Sequence, residues 1–286
     1  MIPSKEQFLV ALTKIEQLSP APVILANALK LLRDPHSDID SIAALVGRDS
    51  ALVTDIIRCA NSAYYRGGNS SNIAEAVQKI GMQETMRLLN LAVARIVSGR
   101  DLDCYGISGA DYWAESLFNG LFLQELARTT GAADPDEAYT VGLLRFIGRR
   151  AINQAIENLQ GGIFWDSREC ITQWELDHVG LSQAEAGAML LCNWRFSETM
   201  VQAIASQASP NMSPERSWLG AALHFATAIL PQGIGTPFSP KPGSPSTPLP
   251  VGGDFMRHSG LTATGVDTLL RATNQAFDEV RKNLKV

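Results

Sequence analysis

Apolar residues along the first part of the chain recur every three to four positions, in short runs separated by proline, glycine and polar breaks. That spacing predicts helices. Residues 5–17 place Phe8, Leu9, Leu12 and Ile15 in phase. Pro20 and Pro22 then break the chain before 23–32, where Ile24, Leu25, Ala28 and Leu31 repeat the pattern. A third helix is predicted over 38–46, with Asp38 or Asp40 as its N-cap. After a turn at 47–50, a fourth carries Leu52, Val53, Ile56, Ile57 and Ala60 over 50–63. A polar loop at 66–72 leads to a short helix over 73–80 that Gly81 stops, and then to a longer one from Gln83 to about Val97.

Residues 98–109, rich in Gly and Asp, mark a domain boundary, and helical patterning resumes beyond them. Asp111 is positioned to cap a helix reaching Thr129, with Trp113, Leu117, Leu121 and Leu126 inward. Asp134-Pro135 opens a central helix expected to run unbroken to Leu159. Its segment 138–152 is apolar almost all round up to Ile147, as befits a helix surrounded by others. Arg145 interrupts it, between Leu144 and Phe146. A guanidinium keeps its charge, so it either snorkels to water beside Arg149 or is buried with acceptors around it. Further helices are predicted over 167–174, 182–194 (Ser182 and Glu185 form a capping box), 198–206, 215–230 and 264–284. Between the last two, 231–250 is dominated by Pro, Gly, Ser and Thr and reads as a long loop. No period-two pattern persists anywhere, so the fold class is all-α.

At 286 residues the chain has room for one large or two ordinary domains. A net charge of −5 removes any global electrostatic case for nucleic acid or an anionic membrane. The start has no signal-peptide pattern, and the apolar run 221–230 is far short of a membrane span, so the expected location is the cytoplasm. Cys59, Cys104, Cys170 and Cys192 are scattered, which predicts reduced and mostly buried thiols rather than a zinc cluster or disulfide frame.

Motifs for chemistry are sparse. Gly67-Gly68 and Gly252-Gly253 lack the spacing of a phosphate loop, and there is no Gly-x-Ser-x-Gly elbow. Of the histidines His36, His178, His224 and His258, only His178 has a carboxylate, Glu175, at helical spacing; a helix-end cap is the simpler role for it. Residues 38–61 have the cadence of a helix-turn-helix, but the outward Asp55, Arg58 and Asn61 offer little to phosphates or base edges, and antiparallel packing accounts for the pattern.

Several segments resemble the HD-related output domain (HDOD) proteins, bacterial signalling modules related to HD-type metal phosphohydrolases. The resemblance runs from about Leu18 to Leu230. It rests on Leu18-Ser19-Pro20-Ala21-Pro22, on Leu31 to Pro35, on 39–49, and above all on Ala60-Asn61-Ser62-Ala63-Tyr64-Tyr65. Further on, Tyr112 to Ser116 resembles a Trp-x-His-Ser segment, and 138–149 the stretch that reads Gly-Leu-Leu-His-Asp-Ile-Gly in true HD enzymes. Gln183 to Gly187 followed by Trp194 resembles a His-x-Glu-x-Gly…Trp segment, and 203–208 an Ile-x-x-His-His ending.

HD enzymes hold metals with His and Asp, which activate water for phosphoester hydrolysis. At the matching positions this chain carries Glu115, Arg145, Phe146, Gln183, Gln207 and Thr227. The resemblance therefore implies a two-part helical protein, an N-terminal bundle over 1–100 packed on a degenerate HD-like bundle over 101–286, without catalytic residues, metal or cofactor. Positions that converge on one metal in the enzymes predict that Glu115 and Arg145 pair across the pseudo-site, with Gln183 and Gln207 as neutral partners. The implied function is a regulatory or scaffolding signalling module acting in trans on proteins such as response regulators or cyclic-dinucleotide-handling proteins. Asn61, Tyr64, Tyr65 and Arg66 are the candidate partner groove. Two alternatives from other classes are a phosphohydrolase-derived nucleotide binder, with Arg145 and Arg149 contacting an anion, and a helix-turn-helix DNA-binding regulator. The oligomeric state is not legible in the sequence.

Overall fold

The computed structural model describes residues 4–13, 60, 70, 72–85, 87, 101–166, 170–193, 196–208, 217–230 and 253–284. Every described element is helical apart from one isolated antiparallel bridge, Leu102 to Ile107, and no strand occurs among the described residues. The fold is all-α. The chain divides into two compact units, Gln17–Val97, and Ser98–Val286 together with Met1–Glu16. The helix pair at 38–61 and the loop at 231–250 lie outside the described residues.

The described helices are α1 (Lys5–Thr13), α2 (Ile73–Ile80), α3 (Gly109–Thr130), α4 (Pro135–Leu143), α5 (Ile147–Asn158) and α6 (Ile171–His178). They continue with α7 (Gln183–Asn193), α8 (Glu198–Ser206), α9 (Trp218–Ile229), α10 (Gly253–Ser259) and α11 (Ala263–Leu284). Within the Gln17–Val97 unit, α2 has the predicted bounds. Asn72 accepts from the Glu75 N–H at its start, and Gly81 ends it at φ +83°, a conformation that favours glycine.

The other unit is built around α3, whose Leu117, Phe118, Leu121, Phe122, Leu123 and Leu126 are all buried. Each such side chain contributes roughly 1.5–3 kcal/mol by leaving water. Ser108, not Asp111, caps α3: its hydroxyl accepts from the Asp111 N–H at 3.1 Å and donates to the Asp111 carboxylate at 2.6 Å. Helices α4, α9 and α11 pack on α3, and α8 joins α7 to α9. Aromatic contacts tie these layers: Phe118 meets Phe277 of α11 edge-on at 5.6 Å, and Phe225 of α9 stacks on Phe255 of α10 at 4.8 Å. The sequence pattern did not foresee α10, in a segment dominated by its glycine-rich start. Helix α1 packs on α5 and α7, burying Phe8, Ala11 and Leu12, and so belongs with Ser98–Val286 rather than with the rest of the first hundred residues. Cys104 is buried, whereas Cys170 and Cys192 are exposed, contrary to the burial expected of them; Cys59 lies outside the described residues.

The central helix is not continuous. It stops at Leu143 and restarts at Ile147, with Leu144, Arg145 and Phe146 in a turn. Two glycines flank the break, and each is pressed onto a backbone carbonyl of a different helix. A Cβ on Gly142 would sit 2.4 Å from the Asn119 carbonyl oxygen of α3. One on Gly148 would sit 1.8 Å from the Gln183 carbonyl oxygen at the start of α7. The break lets α4 follow α3 while α5 turns to follow α7.

Replacing Gly148 with alanine forces these backbones apart, and Gly148→Ala should cost more than about 3 kcal/mol in urea unfolding. Gly162→Ala is the control, because nothing lies within 4 Å of the Cβ it adds. It should stay within about 0.5 kcal/mol of the parent chain.

Candidate functional site

At the break the Phe146 carbonyl accepts from the Arg149 N–H at 3.0 Å, and side chains from other elements donate to it and to the Arg145 carbonyl as well. Tyr112 of α3 donates its hydroxyl to the Phe146 carbonyl at 3.0 Å. Gln207, just past α8, donates from Nε2 to the Arg145 carbonyl at 3.1 Å and to the Ile204 carbonyl at 3.0 Å. The Gln207 carbonyl in turn lies 3.2 Å from Nδ1 of His224 on α9. Three elements are thereby fixed to one three-residue turn.

Arg145 is 3% exposed, so it does not snorkel to water. Its Nη1 donates to Asn119 Oδ1 and its Nη2 to Thr227 Oγ1. Thr227 passes its own proton to the Leu223 carbonyl at 3.1 Å. Burial pulls the Arg145 guanidinium down to about 10, against a favourable field from Glu115, and Arg149 adds repulsion. The group therefore remains a cation at neutral pH.

Glu115 and Arg145 do not form the predicted pair. The Glu115 carboxylate lies 3.6 Å from Nη1 of Arg149, one turn beyond the break. Register explains the shift. Helix α3 and the α4–α5 segment run antiparallel, so Asn119 meets Arg145 and Glu115, four residues earlier, meets Arg149, four residues later. Both guanidiniums lie against the Phe146 ring, with their central carbons 4.8 Å (Arg145) and 4.2 Å (Arg149) from its centroid. Phe146 is thus the shared wall of the two cations.

Gln183 joins the site through its backbone. Its N–H donates at 2.7 Å to Glu175, which is fully buried and also accepts from the Tyr105 hydroxyl at 3.0 Å. Burial raises the Glu175 pKa above its ordinary 4.5, opposed by the Gln183 N–H, by the field of Arg149 and by Tyr105. Burial likewise raises the pKa of Tyr105 and Tyr112, so both phenols stay protonated as donors. His178, the sequence neighbour considered with Glu175, points elsewhere. Its Nδ1 lies 3.1 Å from the Trp174 carbonyl and its ring stacks on that of Trp174 at 5.7 Å, the helix-end role expected of it.

Of the residues singled out from sequence, Arg145, Phe146, Gln207 and Thr227 meet directly at the break, with Glu115 reaching it through Arg149. Gln183 borders it by its main chain. Asn61, Tyr64, Tyr65 and Arg66 lie outside the described residues. Asn119, Tyr112, Tyr105 and Glu175 were missed; the clue available for Asn119 was its place one turn after Glu115. The donor set does not suit a metal. At the positions implied by the HD pattern stand a cation, a phenyl ring, a hydroxyl that accepts from that cation, amides, and a single carboxylate, Glu115, that lies against Arg149. No three His, Cys, Asp or Glu side chains converge among the described residues.

Glu175 supplies a pH test. A carboxyl whose folded pKa is raised contributes stability only at low pH, and that contribution is lost as pH rises from 4.5 through the raised value. Glu175→Gln keeps an acceptor for the Gln183 N–H and removes the charge. Its stability relative to the parent should improve as pH rises from 4.5 to 8 in urea unfolding. A difference independent of pH would mean that folding leaves the Glu175 pKa unshifted.

Comparison with known proteins places this geometry. A solved structure from Shewanella amazonensis SB2B, provisionally named a phosphohydrolase, is 26% identical with a TM-score of 0.56, over 78% of this chain and 79% of that one. An HDOD domain protein of unknown function from Geobacter sulfurreducens is 21% identical with a TM-score of 0.68, over 97% and 96%. An uncharacterized protein of Treponema pallidum (strain Nichols) is 27% identical over 208 residues, 71% of this chain and 40% of that protein, so the chain spans about two fifths of that relative's length. The model of the HDOD domain matches residues 18–210, more than half of the chain, and the chain belongs to the HDOD family.

Proposed function

We propose that this chain is a non-catalytic module of bacterial signal transduction, a cytoplasmic regulator or scaffold that works by binding protein partners. Membership of the HDOD family supports the signalling role. The observation that carries the non-catalytic reading is Arg145 itself. A buried guanidinium held by Asn119 and Thr227 stands where the HD pattern has a metal-binding histidine, and it repels the ion that such catalysis requires. The partners fit proteins of the response-regulator or cyclic-dinucleotide-handling kind, and Asn61, Tyr64, Tyr65 and Arg66 are the groove residues to test first. No helix among the described residues is long and apolar enough to cross a membrane.

The name of the Shewanella structure supports hydrolysis as the competing reading. Purified protein incubated with manganese and a generic phosphodiester should show neither stoichiometric metal nor turnover above buffer. Stoichiometric manganese with turnover lost in Arg145→Ala would overturn the proposal. For the partner role, a photo-crosslinking residue at Tyr64 should trap a discrete polypeptide in cells; no crosslinked species there or at Tyr65 would remove this surface as the interface.

A further inference from the structure

Two donors of the guanidinium cluster have no acceptor among the described residues, and Gln183 Oε1 of the same site is buried without a partner as well. Nε of Arg145 and Nε of Arg149 are both buried without a hydrogen-bond partner among the described residues, in side chains of residues only 3% and 7% exposed. Buried polar groups left without partners are rare in native proteins, and each calls for a cause. Here two occur four residues apart, on groups that share the Phe146 ring as a wall.

Charge is out of balance as well. The two side-chain acceptors on Arg145, Asn119 and Thr227, are neutral, so this buried cation touches no anion among the described residues. Glu115 stands at a loose 3.6 Å from Arg149. Glu175, the other carboxylate whose field Arg149 feels, is already occupied by Tyr105 and the Gln183 N–H. A water molecule could satisfy the free Nε donors but could not offset the charge. An oxyanion does both, and a tetrahedral one has enough acceptors for two guanidinium edges. Glu115 and Thr227, at the edge of the cluster, are less buried than the two arginines.

We propose that Arg145 and Arg149, with Phe146 between them as a floor, form a binding site for one small oxyanion of the phosphate class. Arg145, fixed by Asn119 and Thr227, supplies the standing positive charge. Arg149 is the adjustable arm, exchanging the loose Glu115 carboxylate for the anion. The site needs no metal, and its ligand is either free phosphate or the phosphoryl group of a nucleotide. This inference is independent of the partner-binding role, and its failure leaves that role standing.

The test is titration of the intact chain, stripped with EDTA and held at constant ionic strength with chloride, with inorganic phosphate followed by calorimetry. Saturable binding should appear, be lost in Arg149→Met, and tighten about tenfold in Glu115→Gln, which removes the competing carboxylate. A nucleoside monophosphate is titrated in parallel. Binding at least tenfold tighter than inorganic phosphate assigns the site to a nucleotide's phosphoryl group; equal or weaker binding assigns it to free phosphate. No saturable binding of either ligand overturns the proposal, as does undiminished binding in a folded Arg149→Met. Should Arg149→Met not fold, Glu115→Gln decides, because unchanged or weaker phosphate affinity in that variant also overturns it.

Discussion

Two glycines pressed onto two carbonyls set the geometry of the candidate site. Gly142 lies against the Asn119 carbonyl of α3 and Gly148 against the Gln183 carbonyl of α7. A straight helix from Pro135 to Asn158 would have to meet both neighbours along a single axis. The three-residue turn at Leu144–Phe146 relieves that requirement, and in doing so it presents two carbonyls to other elements and redirects two arginines. Gln207 and Tyr112 donate to these carbonyls, which binds the end of α8 and the face of α3 to the same turn. The site is a by-product of close packing as much as of polar chemistry, and so a single methyl at Gly148 threatens both.

The polar chemistry reverses the charge pattern of a metal centre. A metal site surrounds a central cation with carboxylates and imidazoles. Here the cation is covalently part of the chain, and its contacting acceptors are an amide and a hydroxyl. Neutral acceptors suffice for the hydrogen bonds of Nη1 and Nη2 but not for the cost of burying the charge, and this is why burial draws the Arg145 pKa down to about 10 even with Glu115 in range. The same low-polarity setting acts on Glu175 in the opposite sense, raising its pKa while Arg149 opposes the rise. Arg149 therefore mediates between the two carboxylates, one loosely held at the edge and one fully buried.

Much of the helical order was legible because a period of 3.6 with capping residues is a local signal. The bounds of α2 follow from Asn72 and Gly81, and α8 starts behind Ser197, whose hydroxyl accepts from the Met200 N–H. The break in the central helix was not legible, since no proline or glycine stands at 144–146 and the apolar pattern runs straight through it. The deciding contacts are tertiary: the carbonyls that Gly142 and Gly148 touch belong to residues 119 and 183. The partners of Glu175 were hidden for the same reason. Only His178 stood at helical spacing from it, whereas its actual partners are Tyr105, seventy residues before it, and the main chain of Gln183.

The structure groups Arg145, Phe146, Gln207 and Thr227, as the resemblance implied, but pairs Glu115 with a different arginine. Correspondence with a metal-binding pattern predicts convergence on a point, because an ion draws its ligands together from any direction. With the ion's role taken by an arginine, pairing is governed instead by helix register, which is directional. An antiparallel crossing that puts Asn119 opposite Arg145 must put Glu115 opposite residue 149, and arginine occupies that position. The carboxylate is consequently spent one turn away from the buried cation that most needs it. That displacement, rather than any single contact, leaves Arg145 with charge to spare.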